Sequence, residues 1–203
     1  MLSVMLLGLS HTCLADQKSE WLRRWNQESG NAITYKAEDV ILKESHSDTF
    51  PGLLAAGFRQ SDGGFSLGRV VWKSKSYTPL KAFGVVLSDL GFADMSDSER
   101  RALFTGLLQQ TYGAVGIRPY TGPPSKRKDR PWPVVDLRGP DDSHRFQVWY
   151  YDLSLSQEEG EWREVVYVVS ADGSQVKART LGSHHPAAER LRDFPRPTSE
   201  LFE

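Results

Sequence analysis

The sequence predicts an α+β fold: an antiparallel β-meander of three to five strands, packed on one face by two or three helices. The first observation is a series of alternating apolar stretches in the C-terminal third, separated by turn residues. The second is a pair of segments in the middle of the chain that carry helix-capping residues and an apolar stripe. The composition agrees, because 39% hydrophobic and 25% charged residues are typical of a globular chain.

Residues 1–15 have the features of a cleavable export signal. The segment is mostly apolar, no charged side chain precedes Asp16, and Cys13-Leu14-Ala15 matches the small-x-small pattern of a cleavage site. It is too short to cross a bilayer as a stable anchor. We therefore expect export to the periplasm or the medium, with Cys13 as a candidate for lipid attachment. A cytoplasmic protein with a buried N-terminal segment is the alternative.

The rest of the chain is expected to form one α+β domain over 16–183 and a mobile C-terminal tail over 184–203. No internal repeat divides the first range. The tail is rich in proline and charge and poor in apolar residues. The net charge of −1 produces no overall field that would attract nucleic acid, so nucleic acid is disfavoured as a partner.

A helix is predicted over 16–29. Trp21, Leu22 and Trp25 form an apolar stripe along it, and Gly30 is suited to end it. We expect the two tryptophans to dock this helix against the body of the protein. The second face of the C-terminal sheet is the expected docking place, because monomers seldom leave a large apolar patch bare.

The segments between this helix and the central helices are less regular. Residues 32–43 and 65–73 alternate between apolar and polar side chains, which favours strands. Residues 50–58 are apolar but interrupted by proline and glycine, which favours a short helix or a buried loop.

Two helices with recognisable start signals follow. Thr78 is suited to be an N-cap, with Pro79 as the first helical residue. Ser96 and Glu99 match a capping box, and that helix is predicted to run to about Tyr112. These two helices are the best candidates to cover the core face of the C-terminal sheet.

The strongest turn signal is Asp172-Gly173, which predicts a two-residue type I′ turn between two strands. A two-residue loop fixes the register of the hairpin, and directly opposed residues share a face. The predicted core face of the hairpin therefore consists of Val165, Tyr167, Val169, Val176, Ala178 and Thr180.

A strand that is apolar on both sides, predicted over 145–153, precedes this hairpin. With Phe146 on the core side, Trp149 and Tyr151 belong to the second face and become candidate partner-binding residues. The hairpin adds two valines and two cations to that face: Val166, Val168, Lys177 and Arg179.

A basic loop is the other candidate binding site. Segment 125–132 holds four cations and one anion within a proline-rich stretch, 116–133, that is predicted to be irregular. An aromatic residue beside cations suits a phosphate, a single nucleic acid strand or an acidic partner. The candidate residues are Lys126, Arg127, Lys128, Arg130 and Trp132.

No nucleophile elbow, phosphate-binding loop or paired-histidine zinc motif occurs in the sequence. We therefore predict no catalytic residue, no metal site and no cofactor. His184 and His185 make a poor chelate, because adjacent residues of an extended chain point apart. The enzyme alternative is a hydrolase that uses His46 or His144 with nearby carboxylates.

Three functions from different classes remain open. The first is an exported, non-catalytic binding or assembly protein whose partner is a protein or a cell-envelope component. The second is the hydrolase with an unrecognised site. The third is a cytoplasmic protein that binds an anionic partner through 125–132.

Overall fold

The computed structural model describes residues 14–30, 34–61, 63–120, 135–138, 142–152 and 162–184. The helices are α1 (Leu14–Ser29), α2 (Pro79–Asp89) and α3 (Asp97–Tyr112). The strands are β1 (Val40–Glu44), β2 (Leu54–Arg59), β3 (Phe65–Trp72), β4 (Lys75–Tyr77), β5 (Ile117–Tyr120), β6 (Val135–Arg138), β7 (His144–Asp152), β8 (Trp162–Val169) and β9 (Val176–His184). The predicted α+β class, with helices packed on antiparallel strands, is confirmed.

The strands form two antiparallel sheets. The first sheet follows chain order, β1-β2-β3-β4, and the second has the order β5-β7-β8-β9. The short strand β6 pairs with residues 144–147 of β7, whereas β5 pairs with residues 149–152 on the same edge. The meander predicted in the C-terminal third corresponds to β7-β8-β9. The strands that precede the central helices form a separate sheet, which the sequence did not indicate.

Helix α1 lies on one face of the first sheet. Its apolar stripe packs against alternate residues of β1, β2 and β3: Val40, Leu42, Leu54, Ala56 and Val71. Trp25 is only 1% exposed, and its indole Nε1 donates a hydrogen bond to Ser76 Oγ at 2.9 Å. The expectation that α1 covers the C-terminal sheet is therefore wrong. The strands next to it in sequence present a strongly apolar face, and the tryptophans bury their area there.

Helices α2 and α3 lie between the two sheets. Val70 and Trp72, which alternate with Val71 on β3, belong to a core that includes both helices and the second sheet. The fold therefore has four layers in the order α1, first sheet, α2 with α3, second sheet. The predicted covering of the core face of the C-terminal sheet by the two central helices is confirmed.

The start signals of the central helices act as predicted. Pro79 is the first residue of α2, although the N-cap residue Thr78 makes no capping hydrogen bond with its side chain. At α3, Ser96 Oγ accepts a hydrogen bond from the Glu99 backbone N–H, and Glu99 Oε2 accepts from the Ser96 N–H at 2.8 Å. This capping box satisfies two backbone donors that a helix leaves unpaired.

Residues 54–59 form the strand β2, so the helix or loop predicted for 50–58 is wrong there. β2 is an inner strand between β1 and β3, and its first four residues are buried. A strand covered on both faces does not need to alternate between apolar and polar residues. Gly57 marks a close approach, because a Cβ at this position would lie 2.4 Å from Val115 Cγ1.

The irregular stretch predicted over 116–133 begins with a strand. Residues 117–120 form β5, which pairs with the C-terminal half of β7. Edge strands tolerate proline, which explains why the proline at position 119 does not prevent the pairing. The rest of this stretch lies outside the described residues.

The β8–β9 hairpin has the predicted register but a different turn. Val169 pairs with Val176, as expected. Gly173 has a φ of +76°, but Asp172 has no positive φ, so the turn is not type I′. Instead, the Ser170 N–H donates a hydrogen bond to the carbonyl oxygen of Gln175 at 3.0 Å, which closes a wider loop over 171–174 with the same centre. Inside this loop, the Gly173 N–H donates to the carbonyl oxygen of Ser170 at 2.8 Å.

The carboxylate of Asp172 holds this loop together. Asp172 Oδ1 accepts hydrogen bonds from Ser170 Oγ at 2.5 Å, from the Ser174 N–H at 3.0 Å and from Ser174 Oγ at 2.9 Å. These hydrogen bonds, the one from Ser170 above all, lower the pKa of Asp172 to about 2. The loop therefore depends on the ionised form of this carboxyl group.

We expect the amide signals of this loop to titrate with a midpoint near pH 2. The folded pKa of Asp172, about 2, lies below the pKa of about 3.9 for an unperturbed Asp. The carboxylate therefore stabilises the hairpin above the unfolded pKa, and the stabilisation is lost as the pH falls through the folded value. Two-dimensional NMR of the Ser174 amide would measure the midpoint, with Asp172→Asn as the control that abolishes the titration. A midpoint near the unperturbed value would contradict the assignment.

α2 approaches this hairpin very closely. A Cβ at Gly84 would lie 2.2 Å from the carbonyl oxygen of Ser174, a distance that real Cβ atoms do not adopt. The glycine therefore lets the backbone of the helix rest directly on the backbone of the turn.

Candidate binding surface

The face of the second sheet that points away from α2 and α3 is the binding surface expected from the sequence. On the inner face, Phe146, Val148 and Tyr150 of β7 are buried together with Tyr167 and Val169 of β8. The positions that alternate with these residues belong to the outer face, because successive side chains of a strand point to opposite sides.

Six described side chains form what we call the outer-face patch. Cross-strand pairs arrange them in two rows, each running from β7 through β8 to β9. The predicted opposition of the two β8 valines to the two β9 cations is confirmed. The rows are Arg145–Val168–Lys177 and Gln147–Val166–Arg179.

The outer-face patch is buried at its centre and exposed at its edge. Gln147 and Val166, which face each other across β7 and β8, are only 3% and 8% exposed. Val168 is half-buried, whereas Lys177 and Arg179 on β9 are exposed. Gln147 was not among the predicted site residues. Gln147 lies two residues before Trp149. Because alternate residues of a strand share a face, this spacing could have identified Gln147 from the sequence.

The patch is cationic. Three of its six residues are Arg or Lys, and none is acidic, which gives a net charge of +3 for the six side chains. Within the described part of the chain, Lys177 and Arg179 take part in no ion pair or side-chain hydrogen bond. Their charges are therefore open to a partner, unlike that of Arg100, which is paired with Asp97.

The two predicted aromatic residues occupy the next rows of the same sheet. Trp149 pairs with Tyr120 of β5 and Glu164 of β8, and Tyr151 lies one row farther along β7. Their role in partner binding stays a prediction.

The other predicted site residues lie outside the described residues. This applies to Cys13 and to the basic loop, with its candidates Lys126, Arg127, Lys128, Arg130 and Trp132. Residues 185–203 of the predicted tail also lie outside the described residues. The helix α1 begins at Leu14, inside the predicted leader.

Fewer residues of β9 than predicted belong to the core. Val176 is buried, but Ala178 and Thr180, which were expected in the core, are exposed. The helical layer touches the hairpin at its turn, where Gly84 meets Ser174, and the core ends over β8. Residues 177–180 are therefore exposed on both faces of the sheet.

The histidines considered for a hydrolase lie in different parts of the fold. His46 is exposed in the loop after β1 of the first sheet, whereas His144 begins β7 in the second sheet and is 3% exposed. The ring of His144 makes an edge contact with Phe92, 5.3 Å between centroids. Among the residues that the structure describes, no three His, Cys, Asp or Glu side chains are placed to hold a metal ion.

A buried tyrosine cluster lies between α3 and the second sheet. The hydroxyls of Tyr150 and Tyr167 are 2.5 Å apart, and Tyr112 OH lies 3.5 Å from Tyr167 OH. Burial raises the pKa of Tyr150 and of Tyr167 well above the ordinary value, and raises that of Tyr112 as well. The hydroxyls therefore stay neutral near pH 7 and satisfy one another inside the core.

A groove of about 520 Å³ runs between the first turns of α1 and the first sheet. Its floor includes Trp21 and Leu54, and Glu44 is an acidic residue on its rim. Arg24 also lines it, and its guanidinium stacks 4.9 Å from the Trp21 ring and donates to Glu20 at 2.8 Å. A cation of the protein itself therefore lies on the wall of the groove.

No described helix combines the length and the apolar character that a membrane span needs. Comparison with known proteins gives the chain no relative, because no family model, no curated protein and no solved structure matches it.

Proposed function

We propose that this chain is an exported, non-catalytic binding or assembly protein that holds an acidic protein segment on the outer-face patch. The observation that carries the proposal is the pair of exposed cations, Lys177 and Arg179, that lie beside the two valines of the patch and have no anionic partner in the described part of the chain. Positive and negative surfaces that match steer association and select the partner.

The apolar side chain beside the cations supports a protein partner rather than a free anion. Interfaces combine a buried apolar core with a polar rim. The exposed part of Val168 belongs to such a core, and the cations of β9 supply one side of the rim. A small inorganic anion would use only the rim.

Reversing both edge charges should weaken the binding of an acidic peptide by at least about tenfold. The variant is Lys177→Glu with Arg179→Glu, and the probe is a short fluorescent peptide that contains alternating glutamates, measured by anisotropy. Both residues are exposed, so the melting temperature should hardly change. Binding of the unchanged protein should also weaken with added salt, because exposed charges are screened.

The control has the same change in net charge at a distance from the patch. Lys43 of β1 and Lys81 of α2 are exposed, and neither makes an ion pair in the described part of the chain. The double variant Lys43→Glu with Lys81→Glu should therefore bind like the unchanged protein. Equal losses in the two double variants would mean that net charge alone attracts the peptide, and would overturn the proposal.

Two further experiments distinguish the outer-face patch from the basic loop and a protein partner from a membrane surface. Changing Lys126, Arg127, Lys128 and Arg130 to alanine tests the basic loop, and a loss confined to that variant would transfer the site to the loop. Vesicles with an anionic lipid replace the peptide in the second arm. Charge-dependent binding to vesicles without binding to the peptide would indicate a membrane surface instead of a protein partner.

The export part of the proposal rests on residues 1–15. Intact-mass analysis of protein from the native host should show a chain that begins at Asp16. Such a chain keeps α1 almost whole, and the carboxylate of Asp16 then lies in the first turn, where an acidic group is favourable. Recovery of the chain from Met1 in the cytosolic fraction would contradict export.

A further inference from the structure

The strand β9 is the free edge of the second sheet in the described part of the chain. It pairs with β8 over most of its length, and the sheet order ends with it. Four consecutive residues, 177–180, are exposed. A strand at an edge presents a row of backbone donors and acceptors that another strand can use.

The hydrogen-bond pattern shows which backbone groups are available. The Ser170 N–H donates to the carbonyl oxygen of Gln175 at 3.0 Å. In an antiparallel ladder the pairs that exchange hydrogen bonds alternate, so the next ones on β9 are at Lys177 and Arg179. The N–H and C=O groups of Ala178 therefore point away from β8, toward the free edge.

The side chains beside this edge select the partner. Lys177 and Arg179 are two residues apart, so they lie on the same face of the sheet, about 7 Å from each other. A second copy of this chain that paired through β9 would bring these cations close to their equivalents, and like charges on adjacent strands are destabilising. An added strand with carboxylates at alternate positions would instead place an acid beside each cation.

We propose that the partner binds by strand addition: an extended acidic segment, with Asp or Glu at alternate positions, pairs with the free edge of β9. This inference rests on the proposed acidic partner and specifies its conformation. Main-chain hydrogen bonds provide part of the affinity in this mode, and the alternate side chains provide the selectivity. The carboxylates extend the two rows of the outer-face patch by one strand.

The experiment removes one outward-pointing backbone donor without changing the charge. Ala178→Pro deletes an N–H that the β8–β9 ladder does not use, and proline is tolerated on edge strands at such positions. Ala178→Val keeps the N–H and is the matched control at the same exposed site. The probe is a fluorescent peptide in which glutamate alternates with threonine and both ends are blocked. With it, we expect wild-type affinity for Ala178→Val and about tenfold weaker binding for Ala178→Pro.

A change to the peptide gives the same test without altering the protein. N-methylation of alternate backbone amides along one edge keeps every side chain and blocks pairing on that edge, so the methylated peptide should also bind about tenfold more weakly. The methylated peptide tests strand addition even if Ala178→Pro does not fold. Equal binding of the methylated and unmethylated peptides would overturn strand addition. The proposed acidic partner would still stand in that case, provided that the charge reversal at Lys177 and Arg179 abolished binding.

Discussion

Replacing Phe104 by alanine is expected to lower the free energy of unfolding by about 3–5 kcal/mol. Phe104 is fully buried on α3, and its ring stacks on that of Phe146 with the centroids 4.5 Å apart. It also makes an edge contact with Tyr167 at 5.3 Å. The alanine would leave a cavity where the helical layer meets the second sheet, and rigid packing from both sides would prevent its collapse.

Urea unfolding measures this loss, with Phe65→Ala as the comparison. Phe65 begins β3, is half-buried and lies under the guanidinium of Arg59. Its removal deletes the same number of atoms from a site that water already reaches, so the loss should be clearly smaller. Similar losses for the two variants would show that Phe104 is not a central residue of the core.

Trp25→Ala is expected to have an effect of similar size, about 3–5 kcal/mol, and to act on the other side of the molecule. The indole of Trp25 is buried between α1 and the first sheet, where it contacts the rings of Trp21 and Phe58 and donates a hydrogen bond to Ser76. Removing it leaves a cavity and deletes the hydrogen bond to Ser76.

The same variant tests where α1 docks. NMR amide shifts should change in β1, β2 and β3 and stay constant in β8. The exposed residue Arg23 on the same helix provides the control, since Arg23→Ala should change stability by no more than about 0.5 kcal/mol. Shift changes centred on the outer face of the second sheet would restore the docking that the sequence suggested.

The parts of the fold that the sequence predicted correctly depend on local interactions. Ser96 and Glu99 satisfy each other's backbone within one helical turn, so the pattern is visible in four consecutive residues. The pairing of Val169 with Val176 needs only a short loop between two apolar runs, and it holds even though the turn type differs. The serines that bind Asp172 were also visible, and they favour the wider loop that is observed.

The parts of the fold that could not be predicted from the sequence depend on which surfaces pack against each other. β2 shows no alternation because α1 and the helical layer bury both of its faces, and nothing in residues 54–59 themselves identifies those two neighbours. The docking of α1 required a choice between two apolar faces, and Trp21 and Trp25 suit either one. The choice depends on the existence of the first sheet, whose strands the sequence did not place together.

The candidate site could be predicted only in part, because its register is local whereas its burial depends on packing. The position of Lys177 and Arg179 beside two valines followed from the register of the hairpin. The burial of Gln147 did not, because a glutamine on a strand is usually expected at a solvated position. The exposure of Ala178 on the inner face of β9 depends on where the layer of α2 and α3 ends, which is a property of the assembled core.

The sandwiched position of α2 and α3 determines the order in which the protein can assemble as it emerges from a ribosome or a translocation channel. All of α1, the first sheet and the two helices come from residues 14–112, and the second sheet comes only from residues 117–184. Until β7 and β8 arrive, the side of the helices that carries Phe104 has no cover. A nascent chain that stalls at this stage exposes an aromatic surface and is prone to aggregate. The C-terminal sheet therefore also covers this aromatic surface and so ends the period in which the nascent chain can aggregate through it.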